Sequence, residues 1–358
     1  MQISQLRLSH QKIVGEPIAQ VEEVVRWHGA MQAQLYHSAL WAIGLRTLQK
    51  KMIDVEQAIT ERKIVRTWPM RGTIHFIPAT DIKWMLSLTA SRELSKFARR
   101  FTRLELDEQT LARCEQILMK ILNQTCVSRP NILEALESEG IQTKQQRGYT
   151  ILSYFSHIGL ICQGPVDGNQ PTFTLLDQWI PHAIEKSREE ALITLVERYF
   201  QSHGPATIKD FVWWSGLTVK DTRNAIDQLG STLISEKFSG IEYWGTSTDQ
   251  EIAEKSLARV QLLPAFDEYL LGYKERSAVI TKENAAKVVP GNNGMFLPTL
   301  VIDGQISGIW KPIKRKQSIE IQIIPFVPIN SYWTEIEYAA NEYCQFIQSN
   351  LSSIEIQY

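Results

Sequence analysis

One layout of elements recurs along this chain, and it limits the folds the chain can adopt. Residues 108–178 read as helix, helix, helix, hairpin. Glu108–Leu122 has helical periodicity, with Leu111, Ile117, Leu118, Ile121 and Leu122 apolar. Ser128 fits an N-cap, and Pro130 falls in the first turn of the next helix, where a missing N–H costs little. That helix stops at Gly140. Thr143 can cap a third, with Tyr149, Leu152, Tyr154 and Phe155 inward, ending near Gly159. Leu160–Cys162 and Thr172–Leu175 then flank an Asp167-Gly168 turn, a hairpin signal.

Residues 188–246 repeat the order. Glu189–Ser202 is helical, Thr207 caps a short helix, Gly216 makes a tight turn, and Thr218 caps Val219–Leu229. Thr232–Phe238 and Ile241–Trp244 meet at Ser239-Gly240 as a second hairpin. A looser copy opens the chain. Its helices are Glu16–Trp27, Ser38–Leu45 and Val55–Glu61 capped by Asp54, and its strands Ile64–Trp68 and Thr73–Ile77 join through Pro69-Met70-Arg71-Gly72. Three helices and a hairpin is the winged-helix plan, a variant of helix-turn-helix. From about residue 255 strand-like segments dominate, with another Asp-Gly turn at Asp303-Gly304, and a helix over Trp333–Leu351 closes the sequence. The expected fold is mainly α with β. It comprises three tandem winged-helix motifs (1–107, 108–187 and 188–254) and a β-rich C-terminal domain with a final helix (255–358).

Composition narrows the function classes. With 358 residues, 44% hydrophobic and 22% charged, the chain is long enough for two or three globular domains. Cys114, Cys126, Cys162 and Cys344 are too scattered for a zinc motif or a disulfide framework. The opening MQISQLRLSHQK has no apolar core of a secretory leader, and no apolar run is long enough to span a bilayer, so a cytoplasmic protein is expected. No phosphate-binding loop or dinucleotide fingerprint is present. The net charge of −1 conceals an asymmetry: residues 1–150 hold 21 Lys and Arg against 15 Asp and Glu, and the remainder 17 against 24. A basic half suits a protein that offers one face to phosphates, though such surfaces also occur without a partner.

The candidate chemistry lies in Gly29-Ala30-Met31-Gln32-Ala33-Gln34. An amide donates and accepts hydrogen bonds but is no strong base, so Gln32 and Gln34 can hold a water or a base edge. Residues two apart face one side of an extended segment but diverge by about 200° on a helix. Gly29, as the end of the preceding helix, permits the extended path. Such a pair suits a bond whose leaving group is already good. The plain alternative is two loop glutamines bonded to backbone.

Several stretches resemble the AlkZ/YcaQ-type winged-helix DNA glycosylases: VVRWHGAMQAQ, RTWPMRGTIHFIPA, GPATIKDFVWWSGL and LLPAFDEYLLGY, followed by the DG…GIW hairpin. They occur in the family's order over nearly the whole chain. The resemblance implies a DNA-cradling body of three winged helices that hydrolyses the N-glycosidic bond of alkylated purines, including some interstrand cross-links. Its active-site motif is Gln-x-Gln in one branch, matched here by Gln32 and Gln34 as catalytic residues. Leu35 follows, where many members carry aspartate. An N7- or N3-alkylated purine is cationic and departs without a proton. The enzyme must then position a water and stabilise an oxocarbenium ion, for which electrostatics and placement serve. The expected enzyme is a monofunctional DNA N-glycosylase, a monomer on double-stranded DNA containing alkylated bases, with no metal or organic cofactor implied and no membrane partner.

Arg66, Arg71 and His75 are candidate DNA contacts on one hairpin, and Lys311, Lys314, Arg315 and Lys316 on another beside Trp310. Arg99, Arg100 and Arg103 form a third basic cluster. The bland readings are a half-buried sheet histidine, surface ion pairs and an edge strand guarded by lysines. Trp213 and Trp214 are expected in the core. Asp267, Glu268 and Tyr269 resemble an acid site, but with no second carboxylate at a telling position Asp267 is read as structural, held in buried hydrogen bonds. A non-catalytic winged-helix regulator is the competing reading, although regulators usually pair as dimers on half-sites. A helical interaction scaffold on the same fold is a third.

Overall fold

A computed structural model describes residues 3–246, 259–292 and 294–357. The chain order begins with α1 (Ile3–His10), α2 (Val21–His28), the short extended strand β1 (Met31–Gln32), α3 (Tyr36–Gly44) and α4 (Met52–Thr60). Next come β2 (Ile64–Met70), β3 (Thr73–Pro78), α5 (Ile82–Leu104), α6 (Glu108–Ile121), β4 (Val127–Ser128), α7 (Arg129–Ser138), α8 (Arg147–His157), β5 (Ile161–Gln163), β6 (Thr172–Leu175) and α9 (Leu176–Trp179). The remainder is α10 (Arg188–His203), α11 (Ile208–Ser215), α12 (Val219–Leu229), β7 (Ile234–Phe238), β8 (Ile241–Gly245), β9 (Val260–Leu263), α13 (Glu268–Leu271), α14 (Lys282–Val288), β10 (Thr299–Ile302), β11 (Gln305–Lys314), β12 (Ser318–Pro325), α15 (Trp333–Phe346) and β13 (Asn350–Ile356). No helix among the described residues is long and apolar enough to cross a membrane.

The chain packs as two compact units, one of residues 1–55 with 193–358 and one of residues 56–192. In the second, the hairpins of two sequence repeats merge. β2 pairs antiparallel with β3, with Thr67 opposite His75, and its other edge meets β5 where Arg66 faces Gln163. β5 pairs with β6, and β6 with β4. α5 and α8 cover this sheet, where Trp68 stacks on Phe173 with centroids 6.3 Å apart. The helix-helix-helix-hairpin order of residues 108–178 is present in α6–α8 and β5–β6. Arg71 and Gly72, at φ 55° and 66°, make the β2–β3 turn.

The other unit is built on the sheet β13-β12-β11-β10-β9, all antiparallel except β12–β13. α15 lies on this sheet, and α3 packs against it: Trp41 donates from Nε1 to Leu262 O (2.9 Å) and meets Tyr343 and Phe346 edge-on or tilted. Gly44 seats on Phe346 with no room for a Cβ. α10–α12 and β7–β8 repeat the three-helix-and-hairpin order. Both α11 and α12 start in capping boxes, Thr207 with Asp210 and Thr218 with Asp221. Asp303 (φ 48°) and Gly304 (φ 81°) turn β10 into β11.

Several expected elements move. α2 begins at Val21 rather than Glu16, because Pro17 disfavours helix at Glu16 and the Ile18 N–H donates instead to Arg46 O (3.0 Å). Asp54 lies inside the first turn of α4 rather than capping it. Thr143 bonds to Glu137 (2.5 Å), while Gln145 and Gln146 take left-handed backbones and delay α8 to Arg147. The last helix ends at Phe346; the chain turns at Gln348 (φ 55°) and enters β13, whose Leu351, Ile354 and Ile356 stand beside β12. Trp214 is fully buried but Trp213 is 40% exposed, since neighbouring residues on a helix cannot share one inward face.

Candidate active site

The Gln-x-Gln segment leaves α2 through a helix-terminating glycine. Gly29 has φ 77°, and its N–H donates to Arg26 O (3.1 Å). That positive φ is what favours glycine here; a Cβ would meet Leu195 and Trp214 only at ordinary van der Waals distance. Ala30, Met31 and Ala33 are buried and anchor the passage, Met31–Gln32 is extended, Gln34–Leu35 bends, and α3 starts at Tyr36. The two glutamines therefore lie on non-helical backbone, and the angular divergence that a helix would impose is absent. Gln32 sits deep, 7% exposed, and Gln34 lies at the surface. Gln32 Oε1 is buried and has no hydrogen-bond partner among the described residues.

Against this segment lies the carboxylate of Glu268, which the sequence offers only as a neighbour of Asp267 without a role. Glu268, 1% exposed, accepts the backbone N–H of Gln32 at Oε1 (2.9 Å) and the Trp214 Nε1–H at Oε2 (3.0 Å). His203 Nε2 lies 3.5 Å from the same Oε2. The expectation of no second carboxylate at a telling position is corrected. Glu268 neighbours Asp267 in the sequence, and only the tertiary fold brings it under Gln32. The signal available was an acidic pair inside an otherwise apolar stretch, Leu262–Tyr273.

The surrounding rings are fully buried and kept neutral by burial. His203 stacks on Tyr199 (4.6 Å, 11°), and His28 meets His203 edge-on (5.7 Å). Burial holds the His28 imidazole well below its ordinary range, with the charge of Arg46 adding to the effect. Burial likewise lowers His203, against the opposing pull of Glu268. Neutral His28 donates from Nδ1 to Val24 O (2.9 Å). Burial drives the Tyr199 hydroxyl well above its ordinary value, and it donates to Gly272 O (2.9 Å).

Asp267 is built into a separate support. Both its oxygens accept from Arg46 (2.8 and 2.9 Å), and Oδ1 also caps α13 at the Tyr269 N–H (2.9 Å). Arg46 reaches Gln11 through its backbone O and Oε1, and Gln11 donates to the Tyr273 hydroxyl, which donates to His203 O (2.7 Å). The structural reading of Asp267 agrees with these bonds. Together they fix α13, and hence Glu268, from below.

The arrangement sets the Gln32 peptide on a buried carboxylate among neutral rings, with Gln34 two residues on at the surface. The profile of the AlkZ-like DNA glycosylases matches residues 25–346, from α2 through α15. The chain belongs to this AlkZ-like family. Among AlkZ-like relatives, an interstrand DNA cross-link repair glycosylase of Streptomyces sahachiroi is 26% identical over 313 residues, which cover 83% of this chain and 82% of that protein. The solved DNA glycosylase AlkZ of Streptomyces sahachiroi has the same fold, with a TM-score of 0.82 at 22% identity over 99% of this chain and 98% of that one.

The AlkZ-like chain distributes its basic candidates over both units. Lys311, Lys314, Arg315 and Lys316 are exposed at the far end of the β11–β12 hairpin, and Arg315 pairs with Glu320 (2.7 Å). Trp310 is not exposed beside them: it is 4% exposed, donates to Leu263 O (2.8 Å) and meets Tyr343. β11 is a central strand rather than a guarded edge, and from Lys311 onward it pairs with β12 alone. In the other unit, Arg71 is half-buried at the tip of β2–β3. Arg66 (8%) and His75 (0%) are buried on the strands behind it, His75 with Nδ1 3.0 Å from Thr73 O.

Proposed function

We propose that this chain is a monofunctional DNA N-glycosylase that hydrolyses the bond between deoxyribose and an N7- or N3-alkylated purine. Gln32 and Gln34 hold the attacking water and stabilise the oxocarbenium ion. The carrying observation is the buried Gln32 Oε1, which lacks a protein partner on a non-helical Gln-x-Gln segment. A water held there donates one hydrogen to the amide oxygen and presents a lone pair to the anomeric carbon. The C1′–N bond breaks as its electron pair neutralises the cationic base, so no acid is needed. Water then adds at C1′ and loses its proton to solvent. Neither amide can protonate a neutral base, so undamaged purines are poor substrates.

The proposal extends to architecture and partners. The three helix-and-hairpin segments act as tandem winged helices beside the β-rich C-terminal domain, and the protein works in the cytoplasm as a monomer on double-stranded DNA. Arg71, Lys311, Lys314, Arg315 and Lys316 grip phosphates, while Arg66 and His75 support the β2–β3 hairpin. The name of the Streptomyces sahachiroi relative supports interstrand cross-links as further substrates.

The test is release of N7-methylguanine from duplex DNA under single-turnover conditions. Base release is expected from the parent, with intact abasic strands that break only on alkali treatment. Gln34→Ala and Gln32→Ala should each slow release by about 100-fold, the scale for losing one positioning group. Release unchanged in Gln34→Ala would overturn the site, and no release from several alkylated duplexes would favour a DNA-binding regulator.

A further inference from the structure

We infer that Glu268 is a positioning residue for the reaction, setting the aim of the Gln32 amide by fixing the peptide from which it projects. The inference rests on the glycosylase reading of Gln32 and Gln34. A carboxylate 1% exposed is costly to bury unless its oxygens are well bonded, so its two oxygens mark where the fold concentrates its donors. One takes the Gln32 N–H and the other the Trp214 indole N–H. The first bond reaches across 236 residues of sequence to the motif itself.

The mounting of Glu268 is equally specific. α13 is a single turn, capped by Asp267, which Arg46 clamps through both oxygens. Gly272, at its end, lies against Glu268 O and His203 Cδ2, where a Cβ would stand 2.7 Å from each. Glu268 is thus held on a clamped turn, and its Oε1 in turn holds the peptide of Gln32. Catalytic groups need placement within about 0.5 Å, and the helix end at Gly29 leaves the motif with no helical hydrogen bonds of its own to supply it. Replacement by glutamine keeps the size and one acceptor. Its NH₂ then opposes either the Gln32 N–H or the Trp214 N–H, donor against donor.

The experiment measures single-turnover release of N7-methylguanine, affinity for the same duplex and thermal melting, for the parent, E268Q, Gln32→Ala and the double variant. E268Q should release base about 100-fold more slowly, with duplex affinity within about threefold of the parent. The double variant should be no slower than Gln32→Ala by more than about threefold, because Glu268 acts through Gln32. A merely structural carboxylate would instead add its full effect on top of Gln32→Ala, and that result overturns the inference. So does an E268Q rate within about threefold of the parent. Should E268Q melt below the assay temperature, E268D carries the same comparison with the charge retained and the Gln32 bond lengthened. A parent that releases no base, or a Gln32→Ala variant as fast as the parent, counts against the glycosylase site itself and not against the role of Glu268 within it.

Discussion

Arg46 and Asp267 close on each other through two charge-assisted bonds of 2.8 and 2.9 Å, with their side chains 0% and 3% exposed, joining the end of α3 to the cap of α13. Removing one partner leaves the other charge buried. Asp267→Asn and Arg46→Met should each lower unfolding free energy by about 3–5 kcal/mol. The double replacement Arg46→Met with Asp267→Leu should cost less than the sum of the singles, since it strands no charge. Denaturant melts of the three variants check this, and simple additivity would show that the two residues do not act as a pair.

Stability should fall on mild acidification. His28 and His203 are held by burial below their ordinary value of 6.5. In the unfolded chain they take up protons as pH drops through about 6.5, while in the folded protein they do not. The unfolded state then binds more protons, so stability present above that pH is lost below it, by up to about 1.4 kcal/mol per pH unit for each histidine. Melting temperature measured from pH 8 to pH 5 should be level at the upper end and decline below neutrality. His28→Gln should flatten the decline; an unchanged slope would remove His28 from the explanation.

The sequence was legible wherever local chemistry decides structure. Thr207 and Thr218 announce their helices because a hydroxyl three residues before an aspartate satisfies free N–H groups without outside help. Asp303-Gly304 marks its turn for a similar local reason. The Gln-x-Gln segment was found by its spacing, and Gly29 announced the helix end before it. What stayed hidden depends on distant partners. Nothing near Glu268 in the sequence reveals that its carboxylate meets Gln32, 236 residues away. The same holds for α3: its Trp41 and Gly44 pack on the C-terminal sheet and α15, partners more than 200 residues away in sequence. Trp310 looked like an exposed hairpin aromatic because its buried partners, Leu263 O and Tyr343, lie on other strands and helices.

Gly44 is a packing requirement, not a hinge. Its Cα faces the Phe346 ring so closely that an added methyl would fall among the ring carbons. Phe346 is fully buried, so the ring has nowhere to retreat. Gly44→Ala should therefore destabilise by about 1–3 kcal/mol through overpacking, despite the better helix propensity of alanine. Phe346→Leu in the Gly44→Ala background should recover part of the loss. A Gly44→Ala variant as stable as the parent in denaturant melts would contradict this packing.

The β11–β12 hairpin should dominate the salt dependence of duplex binding. Lys311, Lys314 and Lys316 are exposed, and the strand beyond Trp310 pairs on one side only, so their charges stand clear of the sheet. Arg315 is partly committed to Glu320 at 2.7 Å. Each lysine that neutralises a phosphate releases about one counterion, so each Lys→Gln change should reduce the slope of log K against log salt by about 1. The triple replacement should weaken binding to undamaged and lesion-containing duplexes alike, because phosphate contacts carry no sequence or lesion information. Single-turnover base release at saturating protein should stay near the parent rate, since Gln32 and Gln34 are untouched. Fluorescence anisotropy across a salt series measures the slopes. A triple variant with the parent's slope would place the phosphate contacts elsewhere, with the exposed Arg99, Arg100 and Arg103 of α5 as the next to replace.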